Sequence, residues 1–315
     1  MKKILCAVLA LAAMASCTKE YTIDNPKQTI AFGEAFVNNG TRADYSTGTK
    51  LVNEFKVYGT LTGNSNTVQI FNGATVSRPD GLTGYDRSTA WNCTETQYWV
   101  PSASYKFAAI VDGQATATTG LPVTIPFTVT DGDGDLLYAE TTATVNSEGT
   151  PNVSLVEFTF DHLLSKVQFT VKNKLATGYS IKVTGISVTK VAKNGVYTVS
   201  GGTWAKDGNL TTDAPLTFGT TDVIASAGSA VASETRQILP VEQTLAVAIA
   251  YDIYYNDGSG NKKISSTTKT GTIPTTTYAK NSVYNITAEI DAAKIQFTVK
   301  GVNGFNTPVV EDYME

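Results

Sequence analysis

Apolar residues alternate with small or polar residues along much of this sequence. A period of two predicts a strand with one buried face. The longest run alternates through Leu245, Val247, Ile249, Tyr251, Ile253 and Tyr255. Shorter runs with the same period occur at residues 55–57, 105–107, 167–171, 181–183, 284–290 and 295–299. No convincing amphipathic helix accompanies these runs, so we predict an all-β protein of antiparallel β-sandwiches with Greek-key connections.

Turn signals and chain length suggest how these strands are divided. The stretches Lys193-Asn194-Gly195 and 256–260 suit hairpin turns that need positive φ, and Gly185 interrupts a strand pattern as a β-bulge would. A length of 315 residues fits two domains. Two apolar runs meet near Asp161, so we place one domain at residues 43–160 and the other at 161–315.

Charge and composition argue against several functional classes. A formal net charge of -4 disfavours binding to nucleic acid, and one histidine with three cysteines gives few ligands for zinc or partners for triad chemistry. His162 is therefore expected to pack in a core or interface with one hydrogen bond. The acidic stretch 131–135 matches only the first half of a calcium loop, so a solvated turn is favoured. We predict no catalytic residue, no metal and no cofactor.

The N-terminal residues predict export. Lys2 and Lys3 precede an apolar run, residues 4–15, that is too short to span a bilayer as a mature helix. The run ends in Met-Ala-Ser-Cys, which resembles a bacterial lipobox and predicts a signal peptide at residues 1–16 with lipidation of Cys17. Secretion through the general signal peptidase remains the alternative. If Cys6 leaves with the signal peptide and Cys17 is lipidated, Cys93 is the one free cysteine. It is then more typical of a small buried hydrophobe than of a reactive thiol.

The aromatic residues Trp91, Tyr98 and Trp99 allow two interpretations. Aromatic side chains at strand spacing commonly fill a core, and this interpretation is favoured. The same rings could stack against sugars. The alternative function is therefore that of a surface-exposed, glycan-binding outer-membrane lipoprotein.

Several segments resemble one known family. Residues 160–171, Phe-Asp-His-Leu-Leu-Ser-Lys-Val-Gln-Phe-Thr-Val, resemble a stretch typical of the fimbrillins, the subunits of type V pili. The lipobox Cys17, the step Thr41-Arg42-Ala43, residues 135–139 and the C-terminal run 295–305 are similar to family features and occur in the same order. The resemblance covers nearly the whole chain.

The resemblance implies a fold and a mode of assembly. The fold would be two transthyretin-like sandwiches in tandem, following a lipidated propeptide at residues 17–42. The precursor would reach the outer membrane, and an arginine-specific protease would cut between Arg42 and Ala43. The cut would remove a strand at residues 29–37, whose apolar residues are Ile30, Phe32 and Val37. A strand from another fimbrial subunit would fill the groove that the removed strand leaves. Repetition of this step would build a cell-surface fimbrium.

The C-terminal region would supply the complementary strand. Burial of about five apolar side chains, at ~1.5–3 kcal/mol each, would give a gross gain on the order of 10 kcal/mol. Pro308 cannot donate to a strand ladder and is expected to separate an intramolecular strand from a tail. The expected donor contacts are Ile295, Phe297, Val299, Val302, Phe305, Val309, Val310 and Tyr313.

Overall fold

The computed structural model describes residues 28–38, 52–82, 88–113, 120–132, 134–207, 215–292 and 294–303, with the backbone alone at 302 and 303. Within these residues the protein is all-β. The strands are β1 (Phe32–Val37), β2 (Glu54–Gly63), β3 (Asn66–Ser77), β4 (Asn92–Cys93), β5 (Ser104–Val111), β6 (Thr124–Thr128), β7 (Leu137–Thr144), β8 (Val156–His162), β9 (Ser165–Asn173), β10 (Tyr179–Lys190), β11 (Asn194–Thr198), β12 (Thr203–Lys206), β13 (Leu216–Phe218), β14 (Ile224–Ser226), β15 (Ala230–Ile238), β16 (Glu242–Asn256), β17 (Asn261–Thr277), β18 (Ser282–Ile290) and β19 (Ile295–Asn303). No helix in this part of the chain is long and apolar enough to cross a membrane.

The first sheet curls around its own core. Its strand order is β1-β8-β7-β5-β2-β3-β4. The chain that follows β4 returns to the opposite edge, where Tyr98 forms a bridge with Thr29 just before β1. The concave side buries a cluster that includes Phe32, Phe55, Phe71, Phe107, Phe158 and Phe160.

The later strands share a second core. One sheet has the order β13-β10-β16-β17, with β14 also paired to β10, and the other has the order β15-β9-β18-β19. A smaller sheet, β12-β11-β6, packs beside them. Apolar residues of the later alternating runs lie in this core, among them Val167, Phe169, Ile181, Val247, Ile249 and Ile286.

The alternating runs are confirmed as strands, and two of the local predictions are confirmed with them. The turn between β16 and β17 occupies residues 257–260 with positive φ at Gly258 and Gly260. The register between β10 and β16 shifts at Gly185, as a bulge requires.

The hairpin turn expected at residues 193–195 is wrong. Asn194 begins β11, and Gly195 is paired on both sides, with Phe127 and with Lys206. A Cβ atom added at Gly195 would lie 2.9 Å from a methyl of Leu239 and 3.1 Å from the carbonyl oxygen of Ala205. The glycine therefore allows a close approach of neighbouring groups and does not form a turn.

The expectation of purely antiparallel sheets is also wrong. β1 pairs with β8 in parallel, and β9 pairs with β18 in parallel. Parallel neighbours must be joined by a crossover, and here the partners are far apart in the chain. The sheets are therefore mixed, although most of their pairings are antiparallel.

Candidate functional site

The first strand ends the order of its sheet but is buried by the residues that cover its outer side. All six residues of β1 are buried. On one side, β1 and its flanking residues bond to β8, with Val156 N–H donating to the Ala31 carbonyl at 2.8 Å and Asn38 N–H to the Phe160 carbonyl at 2.7 Å. β1 therefore contributes both backbone pairing and core packing to the first sheet.

Backbone hydrogen bonds also hold the opposite side of β1. Trp91 N–H donates to the Phe32 carbonyl at 2.8 Å, and Val52 N–H donates to the Ala35 carbonyl at 2.9 Å. Just before the strand, Ile30 N–H donates to the Gln97 carbonyl at 2.8 Å. We call the space between β8 and these partners, Val52, Trp91 and Gln97, the first-strand slot. A chain in this slot has hydrogen-bonding backbone on both sides.

Phe32 is the central side chain of the slot. It is fully buried, and its ring centroid lies 5.4 Å from that of Phe71, 6.1 Å from Phe107 and 6.3 Å from Phe55 and Phe158. Ile30 and Val37, the other apolar residues predicted for the removable strand, are buried in the same core. Loss of β1 would therefore remove several side chains from one aromatic cluster.

A charged pair also lies in the slot. The Glu34 carboxylate is fully buried, and its Oε1 is 3.7 Å from Nη2 of Arg78, whose side chain is 11% exposed. Arg78 directly follows β3, so the pair joins β1 to the far side of the first sheet. The sequence interpretation missed this contact. The available signal was one glutamate within an otherwise apolar run, Ala-Phe-Gly-Glu-Ala-Phe-Val, at residues 31–37.

The predicted donor residues of β19 are engaged within their own chain. All nine residues of β19 pair with β18. Ile295, Phe297 and Val299 are half-buried and pack against the second core. A Cβ atom added at Gly271 in β17 would lie 2.5 Å from Cε2 of Phe297, so the glycine lets this ring lie against β17. The backbone of Val302 continues the same strand.

The remaining predicted site residues lie outside the described residues. They are the lipidation site Cys17, the cleavage residues Arg42 and Ala43, and the tail residues Phe305, Val309, Val310 and Tyr313. Arg42 follows β1 by five positions in the sequence.

The two tryptophans that could have stacked against sugars are core residues. Trp91 is 4% exposed and Trp99 is 5% exposed, and the Trp99 ring packs edge-on against Tyr105 at 4.7 Å. This confirms the favoured interpretation for these two residues. Tyr98 is 40% exposed, so one ring of the three faces solvent.

The buried histidine has an acidic neighbour. His162 lies at the end of β8, and its Nδ1 is 2.8 Å from Oδ2 of Asp135. Asp135 belongs to the acidic stretch 131–135, of which Asp133 lies outside the described residues. Within the part of the chain that the structure describes, no three acidic, histidine or cysteine side chains are grouped as metal ligands.

Cys93 is half-buried at the edge of the first core. Burial raises the pKa of its thiol above the usual value. The backbone hydrogen bond at Glu95 lowers this pKa and the Glu95 charge raises it, both with smaller effects. A raised pKa reduces the thiolate fraction at neutral pH, and the thiolate is the nucleophile.

We therefore expect slow alkylation of Cys93 in the folded protein. At neutral pH, its reaction with iodoacetamide should be at least about tenfold slower than in urea-unfolded chain. The rate should also reach half of its maximum at a higher pH than in the unfolded chain. Mass spectrometry of the Cys93 peptide measures both. Equal rates in folded and unfolded protein would contradict the protected thiol.

Comparisons with known proteins point to one family. The family model described as fimbrillin-like matches residues 41–303. A solved fimbrial protein from Bacteroides vulgatus is similar over 88% of this chain and 99% of its own, with a TM-score of 0.61 and 18% identity. A candidate cell adhesion protein from Bacteroides ovatus is similar over 91% of this chain and 100% of its own, with a TM-score of 0.54 and 15% identity. No curated protein matches the chain.

At such identities the structural likeness shows a shared fold and no more. Family membership depends instead on the family model, which spans well over half of the sequence. This protein belongs to the fimbrillin-like family.

Proposed function

We propose that this protein is a structural or accessory subunit of a cell-surface fimbria, a type V pilus, and that it polymerises by donor-strand exchange. Family membership and the fold shared with a Bacteroides fimbrial protein support the fimbrial role. One structural observation supports the assembly step. β1 is fully buried, is bonded on both sides and lies N-terminal to Arg42.

The precursor is tethered before it assembles. Lipidation of Cys17 anchors it to the outer membrane, where two or more acyl chains hold a protein stably. An arginine-specific protease then cuts between Arg42 and Ala43. Since both the lipid and β1 lie on the N-terminal side of that bond, one hydrolysis frees the body of the subunit and disconnects β1 from it.

The vacated first-strand slot then accepts a strand from another subunit. Its walls offer unpaired backbone groups on β8 and on the facing residues Val52 and Trp91. Its floor is the aromatic cluster that Phe32 leaves. Backbone pairing supplies affinity, and side-chain pockets supply register, as in other cases of strand addition. β1 covers this slot until cleavage and so prevents indiscriminate edge pairing.

The donor is the tail that follows β19. Donation of Ile295, Phe297 and Val299 would require β19 to leave β18 and would remove Phe297 from its position on Gly271. We therefore assign these residues, with Val302, to anchoring the tail. Phe305, Val309, Val310 and Tyr313 are the apolar residues that enter the neighbour's slot.

The fold is proposed to be two tandem Greek-key sandwiches of the transthyretin-like type, at residues 43–160 and 161–315. Two cores support a division near residue 161, one inside the first sheet and one shared by the later sheets, although β6 pairs with β11 and its Ile125 lies in the second core. β8 ends at His162 and β9 begins at Ser165, so the chain passes from one sheet to the other within two residues. Tyr58 and Ile110 of the first sheet contribute to the second core, which indicates that the two halves pack together.

Cleavage of purified precursor tests the proposal. Treatment with an arginine-specific protease should give a new N-terminus at Ala43 and filaments in electron micrographs. Arg42→Ala should abolish both products, and Arg42→Lys should do the same although it keeps the positive charge. Arg87→Ala removes a different arginine and should leave cleavage and assembly intact. Filaments formed by uncut Arg42→Ala protein would refute assembly by strand exchange at this site.

A further inference from the structure

Of the buried Glu34–Arg78 pair, Arg78 alone stays in the body of the subunit when β1 leaves, provided that strand exchange occurs as proposed above. In the precursor, the guanidinium of Arg78 is 3.7 Å from a carboxylate that belongs to the strand to be removed. When β1 leaves, Arg78 loses the Glu34 carboxylate, and the open slot admits water to its guanidinium. When a new strand fills the slot, the guanidinium is desolvated again. A strand that brings no carboxylate would bury this charge without the counter-ion it had before.

We propose that Arg78 selects the incoming strand by requiring a carboxylate, and that Glu311 of the neighbouring subunit's tail supplies it. Such a requirement discriminates through a penalty on strands that lack the acidic group. An apolar strand could pack on the aromatic cluster and form hydrogen bonds with the backbone of the slot in several registers. The charge at one position excludes those registers in which no acidic residue faces Arg78.

The sequence of the tail supports Glu311 as the partner. In β1, Glu34 has Phe32 two residues before it and Phe36 two residues after it. Glu311 has Val309 two residues before it and Tyr313 two residues after it, so the two glutamates have similar neighbours in the sequence. The register of β1 against β8 shifts between Phe32 and Ala35, so the regular strand spacing around Glu34 applies on the Phe36 side. Asp312 has a shorter side chain and is followed two residues later by methionine, which makes it the matched control.

A double-mutant cycle on the full chain tests the coupling. The four proteins are the unmodified chain, Glu311→Gln, the pair Glu34→Gln with Arg78→Gln, and the combination of all three changes. The paired change removes both charges together, so neither charge of the pair is buried in the precursor without the other. Each protein is cut with the arginine-specific protease, and polymer growth is followed by light scattering and by ladders on gels.

Glu311→Gln should slow polymer growth by about tenfold or more where Arg78 is present, and by no more than about twofold where residue 78 is glutamine. Asp312→Asn should stay within about twofold of the unmodified chain in either case. Equal slowing by Glu311→Gln in both backgrounds, or none in either, would overturn the proposal. Absence of polymer from the cut, unmodified chain would overturn strand exchange itself and this selection with it.

A second comparison does not depend on the folding of the Arg78 variant. Glu311→Lys places a like charge against Arg78 and should slow growth more than Glu311→Gln does. Asp312→Lys makes the same charge change one residue away and should have a smaller effect. If the two lysine variants polymerise at equal rates, net charge and not contact with Arg78 controls assembly.

Discussion

Replacement of Phe32 by alanine is expected to lower the free energy of unfolding of the uncut precursor by about 3–5 kcal/mol. Phe32 is fully buried and lies within 6.3 Å, between ring centroids, of four other phenylalanines. Its truncation removes the apolar contacts and leaves a cavity that the surrounding rings fill only in part. Urea or guanidinium unfolding of the precursor measures the loss.

The same substitution should leave the assembled polymer unchanged. β1 is absent from a polymer formed by strand exchange, so Phe32→Ala polymer should resist denaturant as the unmodified polymer does. Phe158→Ala is the matched control, because Phe158 lies in the same cluster but on β8, which stays in the body. It should weaken both precursor and polymer. A polymer weakened as much by Phe32→Ala as by Phe158→Ala would show that β1 remains in place.

Deletion of residues 304–315 is expected to abolish polymer growth after cleavage. The deleted segment holds Phe305, Val309, Val310 and Tyr313, and it leaves β19 complete. Cleavage at Arg42 and the unfolding free energy of the precursor should remain near those of the full chain. Gel ladders and electron microscopy measure the loss of polymer. Normal filaments from the shortened chain would contradict donation by the tail.

A disulfide between β18 and β19 distinguishes donation by the tail from donation by β19. Thr287 and Thr298 are paired across the two strands, and directly opposed residues in an antiparallel pair have a Cα separation that suits a disulfide. With cysteines at both positions and Cys93→Ser, the oxidised protein should still polymerise after cleavage. Polymer that appears only after addition of a reductant would show that β19 itself is donated.

Local sequence pattern was sufficient to predict the strands that alternate clearly, but not their partners. The alternation from Leu245 to Tyr255 requires one buried face, and Gly185 produced the bulge that its position suggested. The parallel pairing of β1 with β8 has no local signature, because it joins segments more than a hundred residues apart. The glycine at 195 was misread for a related reason. Its close neighbours Leu239 and Ala205 come from elsewhere in the chain.

Local sequence pattern also predicted only part of the candidate site, because some of its contacts join residues that are distant in the chain. Ile30, Phe32 and Val37 are apolar, so their burial follows from hydrophobicity alone. The burial of Glu34 does not, since an acidic side chain enters a core only when the fold brings it a partner. Arg78, 44 positions later in the sequence, is that partner, and only the three-dimensional structure shows the contact.

The pairing of β19 with β18 also bears on how a filament would carry mechanical load. Traction on the tail would enter the subunit at Asn303, the last residue of β19. Hydrogen bonds of an antiparallel pair lie perpendicular to the strands, so a pull along the axis strains all nine paired positions at once instead of peeling them singly. A fimbria built in this way would resist shear flow with many bonds acting together at each junction.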